Sequence, residues 1–347
     1  MTIVDEITEV RQAHGFDELA LADYLATEVE GFAGPVDVKQ FKGGQSNPTF
    51  LLATPGGSYV LRKKPPGKLL RSAHRIDREY RVMKALAETN VPVPAVYCLC
   101  EDDAVIGTAF YVMELVEGRV FRSAALPDMA PQDRAAVYDS MNRVLADLHN
   151  LDLQEIGLEN FGRKGNYFER QISRWSEQYR ASQTVKVASM DRLMDWLPRN
   201  IPPDSSSGLA HGDFRLENAI YHPTEPRMIA VLDWELSTVG HPLADLAYNC
   251  MGYHIASPTD GGLTDVDFTT SGIPDEKTYV ERYRERTRRP TIDNWNFYLA
   301  FSMFRLGAIA QGVYKRGLDG NASSDKALQY EEVCRFLADK ACHLLEL

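Results

Sequence analysis

The chain has 347 residues, 44% of them hydrophobic and 25% charged, enough apolar material for two packed domains and too much for wholesale disorder. Its formal net charge of −11 excludes a general nucleic-acid binder, which needs a basic face to displace phosphate counterions. The acidic balance leaves a phosphate-bearing small ligand open, since a few local cations and a metal ion can dominate one pocket.

In chain order, Asp17 is placed to cap a helix running through Leu19-Ala20-Leu21 to about Val29, because its carboxylate can accept from the open N–H groups of the first turn. Gly31 and Gly34-Pro35 end that helix. Three strand-like runs follow at 36–41, 49–53 and 58–62, joined by Gly43-Gly44-Gln45-Ser46-Asn47-Pro48 and by Pro55-Gly56-Gly57. Short apolar runs with Gly-rich connections predict antiparallel hairpins. Ile76, Tyr80, Met83 and Leu86 recur at helical spacing and predict a helix over 73–88, stopped by Val91-Pro92-Val93-Pro94. Two more strands are expected at 95–100 and 109–115.

Beyond Glu117-Gly118 the pattern turns to long amphipathic segments at 131–150, 167–182, 190–197, 276–287, 292–316 and 324–345. Short strand-like pieces at 219–221 and 228–232 interrupt them. The expected fold class is α+β: an N-terminal lobe over 1–117 with a helix, an antiparallel sheet and one Glu-bearing helix, a connector near 114–118, and a larger, mostly helical lobe over 118–347. A ligand cleft between two such lobes is the natural expectation.

The five cysteines, Cys98, Cys100, Cys250, Cys334 and Cys342, contain no C-x-x-C pair, so neither a zinc site nor a disulfide framework is expected. They read as buried thiols. The first residues lack a basic stretch followed by an apolar run, and no apolar stretch reaches membrane length. A cytoplasmic protein away from membranes is the expectation.

The strongest chemical signal is His211-Gly212-Asp213-Phe214-Arg215-Leu216-Glu217-Asn218, an H-x-D-x-x-x-x-N segment with the spacing of a kinase catalytic loop. Phosphoryl transfer needs a carboxylate beside the attacking hydroxyl and oxygen ligands for Mg²⁺ on one rigid loop. Asp213 fits the first role, and the neutral carbonyl oxygen of Asn218 fits the second. Met228-Ile229-Ala230-Val231-Leu232 then reads as a buried strand with Asp233 at its end, the position of a second metal ligand. Tyr59-Val60-Leu61-Arg62-Lys63 is a strand ending in two cations, and Glu79 lies in the following helix. Arg62, braced by Glu79, fits a grip on the α- and β-phosphates, although Lys63 stays open for it despite pointing to the other strand face.

Each piece alone has an ordinary reading: a hairpin turn at Gly43-Gly44, a solvated strand end at Arg62, a surface carboxylate at Glu79, a turn cap at Asp213. Their joint order along the chain selects the phosphotransfer reading. His211 is expected to orient the loop rather than react, and His149 and Cys250 to sit in the core.

The chain resembles the aminoglycoside phosphotransferase and choline kinase superfamily of protein-kinase-like folds. The resemblance rests on the H-G-D-x-x-x-x-N form of His211 to Asn218, on Val231-Leu232-Asp233, and on Pro242-Leu243-Ala244-Asp245-Leu246-Ala247. It is closer still to the kinase-like domain associated with acyl-CoA dehydrogenases, through Gly43 to Thr49, Tyr59 to Gly67, Ile76 to Val82 and Leu232 to Pro242. Many superfamily members carry Lys where Arg62 stands. The resemblance implies a bilobal ATP- and Mg²⁺-dependent kinase in which Gly43, Gly44, Ser46 and Asn47 cover the phosphates. It also implies that backbone groups at Glu114 and Val116 meet the adenine, that Asp245 braces the catalytic loop, and that Arg215 steadies the moving phosphoryl group. The implied acceptor is a hydroxyl of a small molecule, first a hydroxyacyl-CoA and next an aminoglycoside or amino-alcohol. A functional link to an acyl-CoA dehydrogenase follows from the closer likeness, and a silent nucleotide-binding module serving that enzyme is the reading of another class. Eleven residues between Asp233 and Asp245, with no A-P-E signal, leave little room for a peptide-docking segment. Arg305, Gln311 and Tyr314 on the helix from Ile292 are candidates to face the acceptor or to edge a core helix.

Overall fold

The computed structural model describes residues 7–42, 47–65, 74–163, 165–256, 261–320 and 325–347. These divide into two compact units, Met1–Phe121 with Leu216–Ser237, and Arg122–Arg215 with Thr238–Leu347. The first unit therefore takes in a segment from far along the chain, which a single boundary at 117 does not provide.

The chain begins with β1 (Ile7–Thr8) and α1 (Glu18–Glu28). Asp17 accepts from the N–H groups of Leu19 and Ala20, both at 3.0 Å, which satisfies two orphan donors of the first turn. Then come β2 (Asp37–Phe41), β3 (Thr49–Thr54), β4 (Gly57–Lys63), α2 (Ile76–Leu86), β5 (Val96–Cys100), the short α3 (Asp103–Ile106) and β6 (Phe110–Glu114). The six strands form one antiparallel sheet in the order β1-β2-β3-β4-β6-β5. One face buries Phe50, Leu52, Leu61, Phe110 and Val112 with Leu21 and Leu25 of α1, the period-2 and helical stripes closing on each other. The register sets Arg62 of β4 directly opposite Tyr111 of β6. That pairing puts both on the sheet's other face.

The second unit continues with α4 (Pro131–His149), α5 (Tyr167–Ser182), α6 (Ala188–Trp196) and β7 (Gly208–Ala210). The chain then returns to the first unit as a two-stranded antiparallel ribbon, β8 (Ala219–Tyr221) with β9 (Met228–Val231). Mutual backbone hydrogen bonds between Arg119 and Tyr221, at 2.7 and 2.9 Å, tie this ribbon to the segment after β6. Back in the second unit, β10 (Thr238–Gly240) pairs with β7, followed by α7 (Pro242–Cys250), α8 (Glu276–Arg286), α9 (Trp295–Leu318) and α10 (Tyr330–Leu344). Helix α9 is buried along most of its length and packs against α5, α7 and α10.

This is the expected α+β architecture of an antiparallel sheet and a set of helices. The strand runs and most helices fall within a few residues of their expected positions. Two elements near the loop at 211–218 were not anticipated: the β7–β10 pair and α7. All five cysteines are buried and free. No described helix is long and apolar enough to cross a membrane.

Candidate active site

In the first unit the sequence-predicted residues converge on Arg62. Arg62 is 9% exposed, with Nη2 2.8 Å from Asp233 Oδ1 and Nε 2.9 Å from Glu79 Oε2. The contact with Glu79 is a close ion pair without hydrogen-bond alignment, whereas the one with Asp233 is an aligned hydrogen bond. Glu79, 1% exposed, also accepts from Tyr111 Oη at 3.1 Å and from Asn47 Nδ2 at 2.8 Å. Burial disfavours the charge on Arg62, but Glu79 and then Asp233 outweigh it and raise its pKa above the ordinary arginine value. Burial pushes the Glu79 carboxyl up, and Arg62 pulls against it. Glu235 lies 3.9 Å from the same guanidinium.

Asp233 follows β9 with φ of +64°, a left-handed conformation that Asp tolerates better than most side chains. It starts a 3-10 turn over Trp234–Leu236. Ala219 pairs with Val231, and the Leu232 N–H donates to the Asn218 carbonyl at 2.8 Å. Asn218 and Asp233 thus flank the same end of the β8–β9 ribbon, brought there by ladder register rather than by nearness in sequence. Both offer hard oxygen donors, which suit Mg²⁺ completed by waters and phosphate oxygens. Among the described residues no group of three His, Cys, Asp or Glu side chains converges to hold a metal alone.

The remaining expected residues of this unit fall elsewhere. Gly43, Gly44 and Ser46 lie outside the described residues. Asn47, buried, spends its amide on Glu79 and its carbonyl side on His74 Nδ1 at 3.0 Å, so it acts as part of the brace around Glu79. Glu114 ends β6, and its carboxylate accepts from the Ala95 N–H at 3.1 Å, with half-buried Val116 just beyond. Lys63 points to the opposite sheet face, its ammonium 5.2 Å from the Phe16 ring centre and 5.7 Å from that of Phe50. Burial pushes its pKa below the ordinary lysine value. Strand alternation therefore separates the two cations, and Arg62 alone joins the carboxylates.

In the second unit, the loop from His211 is pinned from beneath by Asp245 of α7. The buried carboxylate accepts from the His211 N–H, and from the Gly212 N–H at 2.8 Å, so Asp245 braces the loop as the resemblance implies. His149 of α4 stands 3.4 Å from the same carboxylate and bonds Tyr283 through Nδ1 at 2.6 Å. Burial acts to raise the Asp245 pKa, but His149 and the Gly212 N–H hold it below the ordinary range. Gly212 has φ of +85°, which a side chain would strain. His211, fully buried, accepts from the Asp213 N–H at 3.1 Å through Nδ1, consistent with an orienting part. Asp213 is partly open, and Arg215 Nε is 3.4 Å from its Oδ1.

Two partners of this loop lie outside the sequence expectations. Asn249 of α7 donates to the Phe214 carbonyl at 3.3 Å, and Arg305 of α9 donates to the Gly212 carbonyl at 2.5 Å. Arg305 thus serves the loop, while Gln311 is buried and donates to the Ser182 carbonyl and Thr184 Oγ1, a core role. Tyr314 is half-buried, and Glu331 pushes its pKa above the ordinary tyrosine value.

Residues 37–276 match the phosphotransferase enzyme family. A mouse protein described as acyl-CoA dehydrogenase family member 10 is 47% identical over 96% of this chain, which covers 31% of that protein. An Arabidopsis thaliana protein described as an acyl-CoA dehydrogenase, IBR3, is 48% identical over 92% of this chain and 41% of its own length. The chain thus spans less than half the length of the curated relatives it matches. A crystal structure from Ralstonia eutropha, described as a candidate aminoglycoside phosphotransferase, is 52% identical with a TM-score of 0.88 over 96% of this chain and 99% of that one. Choline kinase from Cryptosporidium parvum shares the fold, with a TM-score of 0.64 at 14% identity over 95% of this chain and 97% of that one.

Proposed function

Because the chain belongs to the phosphotransferase enzyme family, we propose that it moves the γ-phosphate of ATP to a hydroxyl of a small molecule. The observation that carries this reading is Arg62 held between Glu79 and Asp233, with Asn218 at the same ribbon end. With Asp233 given over to a metal ion, the Arg62 fork would keep its orientation through Glu79 and have a donor free for phosphate oxygens. Asn218 and Asp233 would hold Mg²⁺, which when bound offsets charge on the phosphates. Arg62 keeps its fork oriented through Glu79, itself fixed by Asn47 and Tyr111. Gly43, Gly44, Ser46 and Asn47 belong to the segment assigned to the phosphates, and the main chain at Glu114 and Val116 to the adenine edge.

Asp213 orients the acceptor hydroxyl and takes its proton, a contribution of about 10²–10⁴ in rate. Arg215, beside it, meets the charge of the phosphoryl group in transit. Positioning and electrostatics supply the larger share of catalysis. The acceptor we favour is a hydroxyacyl-CoA, in a reaction linked to an acyl-CoA dehydrogenase. The support is that the longer relatives carry that description. An aminoglycoside or amino-alcohol is the second reading, favoured by the acidic balance of the chain and by fold neighbours solved with hygromycin B and spectinomycin. A reducing, cytoplasmic setting suits five unpaired cysteines.

The test is a screen of hydroxylated acceptors with γ-labelled ATP and Mg²⁺. Label is expected on a hydroxyacyl-CoA, and Asp213→Asn is expected to lower turnover by about 10²-fold or more. Transfer to aminoglycosides alone reverses the acceptor ranking. Nucleotide binding without any transfer, unchanged by Asp213→Asn, leaves a silent nucleotide-binding module.

A further inference from the structure

The exposed apolar side chains are unevenly spread. Of the nine large ones among the described residues, six lie at Leu318, Leu328, Tyr330, Val333, Phe336 and Leu347. Scattered singly they would need no account, but three of them fall within two turns of one helix, α10. One side of that helix is already committed: Cys334, Leu337, Ala338, Ala341 and Cys342 are buried, and α10 packs on α9 and α6. Phe336, on the other side, is 45% exposed.

Along that outer side Gln329, Glu332, Phe336, Lys340 and His343 recur at spacings of three and four, the seam by which one helix lies along another. Val333 flanks Phe336 on it. The other charges of α10 are spent within the fold: Arg335 lies 3.8 Å from Glu331, one turn back, and Asp339 accepts from the Ser189 hydroxyl. Among the described residues Glu332 and Lys340 have no ion-pair partner. Phe336 is midway between these two, four residues from each.

That symmetry selects an occupant. A second α10 laid antiparallel across a two-fold axis at Phe336 sets the ring on its own counterpart, Glu332 on Lys340, and Lys340 on Glu332. A parallel pairing sets Glu332 on Glu332 and Lys340 on Lys340, like charge on like, which is costly. The antiparallel register also carries exposed Leu328 towards the Leu344 end of the other copy. We propose that the outer face of α10 is a self-association surface, occupied by α10 of a second copy of this chain, antiparallel about Phe336. The face lies within the second unit and is independent of the phosphotransfer reading. One helix of 15 residues from each copy gives less than the standard interface of about 1,600 Å², so the dimer is a weak one, with Kd of about micromolar order.

Sedimentation velocity of the full chain from about 1 to about 100 μM tests this, with the mass expected to rise from one chain towards two across the range. Phe336→Asp should sediment as a single chain throughout, with a wild-type circular dichroism spectrum. Lys340→Glu alone should weaken the dimer by about tenfold or more, because it sets Glu332 against a like charge at both ends of the seam. Adding Glu332→Lys to it should restore the dimer, since the exchanged charges again oppose each other. A misfolded variant cannot mimic that restoration. A wild-type chain that stays single at the top of the range overturns the inference and leaves the face to a different occupant. So does a dimer that Phe336→Asp leaves intact, or a double exchange that fails to restore what Lys340→Glu removed.

Discussion

The two units secure their functional groups by opposite means. Around Arg62 charge is held by charge: one guanidinium serves Glu79 and Asp233, and Asp233 is about one-third open. Around Asp213 the backbone is held by buried side chains: Asp245, Asn249 and Arg305 occupy two N–H groups and two carbonyls of residues 211–214. The first arrangement suits a ligand, because an incoming anion or cation can replace a partner at little loss. The second suits a scaffold, because no water or ligand can substitute for a buried acceptor. The difference separates what must exchange in each cycle from what must never move.

The sharpest way to break this contrast is to remove the scaffold's acceptor. Asp245→Ala takes the acceptor from two buried N–H groups and from His149 Nε2 and should destabilise by about 3–5 kcal/mol, read by denaturant unfolding. Because the folded-state pKa of Asp245 is depressed, its contribution is present above the ordinary aspartate value of about 3.9 and is lost as pH falls through the folded value. The wild-type and Asp245→Ala stabilities should therefore converge only in acid below about pH 4.

Arg62→Met should come next, costing up to about 3–5 kcal/mol at neutral pH by stranding the buried Glu79 charge. Here the sign reverses. Burial raises the Glu79 pKa, so in the variant stability is recovered as pH falls toward the range where Glu79 protonates, and is lost as pH rises through its folded value. A penalty that grows on acidification would contradict the ion-pair account.

Arg62→Lys keeps the charge and loses the fork. It should satisfy one carboxylate at a time and weaken Mg²⁺-ATP binding by about tenfold, worth roughly 1.4 kcal/mol by calorimetry. The smallest effect is expected at the neighbouring position. Lys63→Met removes an ammonium over two aromatic rings, which burial has already made less favourable, and should change stability by no more than about 1 kcal/mol. Its ATP affinity should stay within about twofold of wild type. A large loss there would move the phosphate grip from Arg62 to Lys63.

What the sequence disclosed, and what it withheld, follow the range of the interactions involved. The H-x-D-x-x-x-x-N loop, the strand before Asp233 and the cations after Tyr59 are local patterns with local causes, and they fall where expected. Helix α7 is not legible in the sequence because Leu243, Ala244, Asp245, Leu246, Ala247 and Tyr248 are all buried, so it has no solvent-exposed polar face to give a helical period. Its start is capped by His241 Nδ1, which accepts from the Leu243 N–H, a residue type outside the usual capping set. Tyr111 reaches Glu79 only through cross-strand register with Arg62, and Arg305 reaches Gly212 from 93 residues away. No spacing rule encodes such distances. Lys63 illustrates a reading that alternation along β4 made available, since consecutive strand residues must face apart.

The departure of the chain into the first unit at Leu216 and its return at Thr238 has an evolutionary corollary. Arg62 and Glu79 are inherited from one stretch of coding sequence, Asp233 from another lying about 150 codons downstream. A single crossover anywhere between them would deliver the arginine from one parent and the aspartate from the other. Successful chimaeras in this lineage should therefore require double exchanges that carry 216–237 along with the amino-terminal third, and libraries built by one-point shuffling should be depleted of active clones.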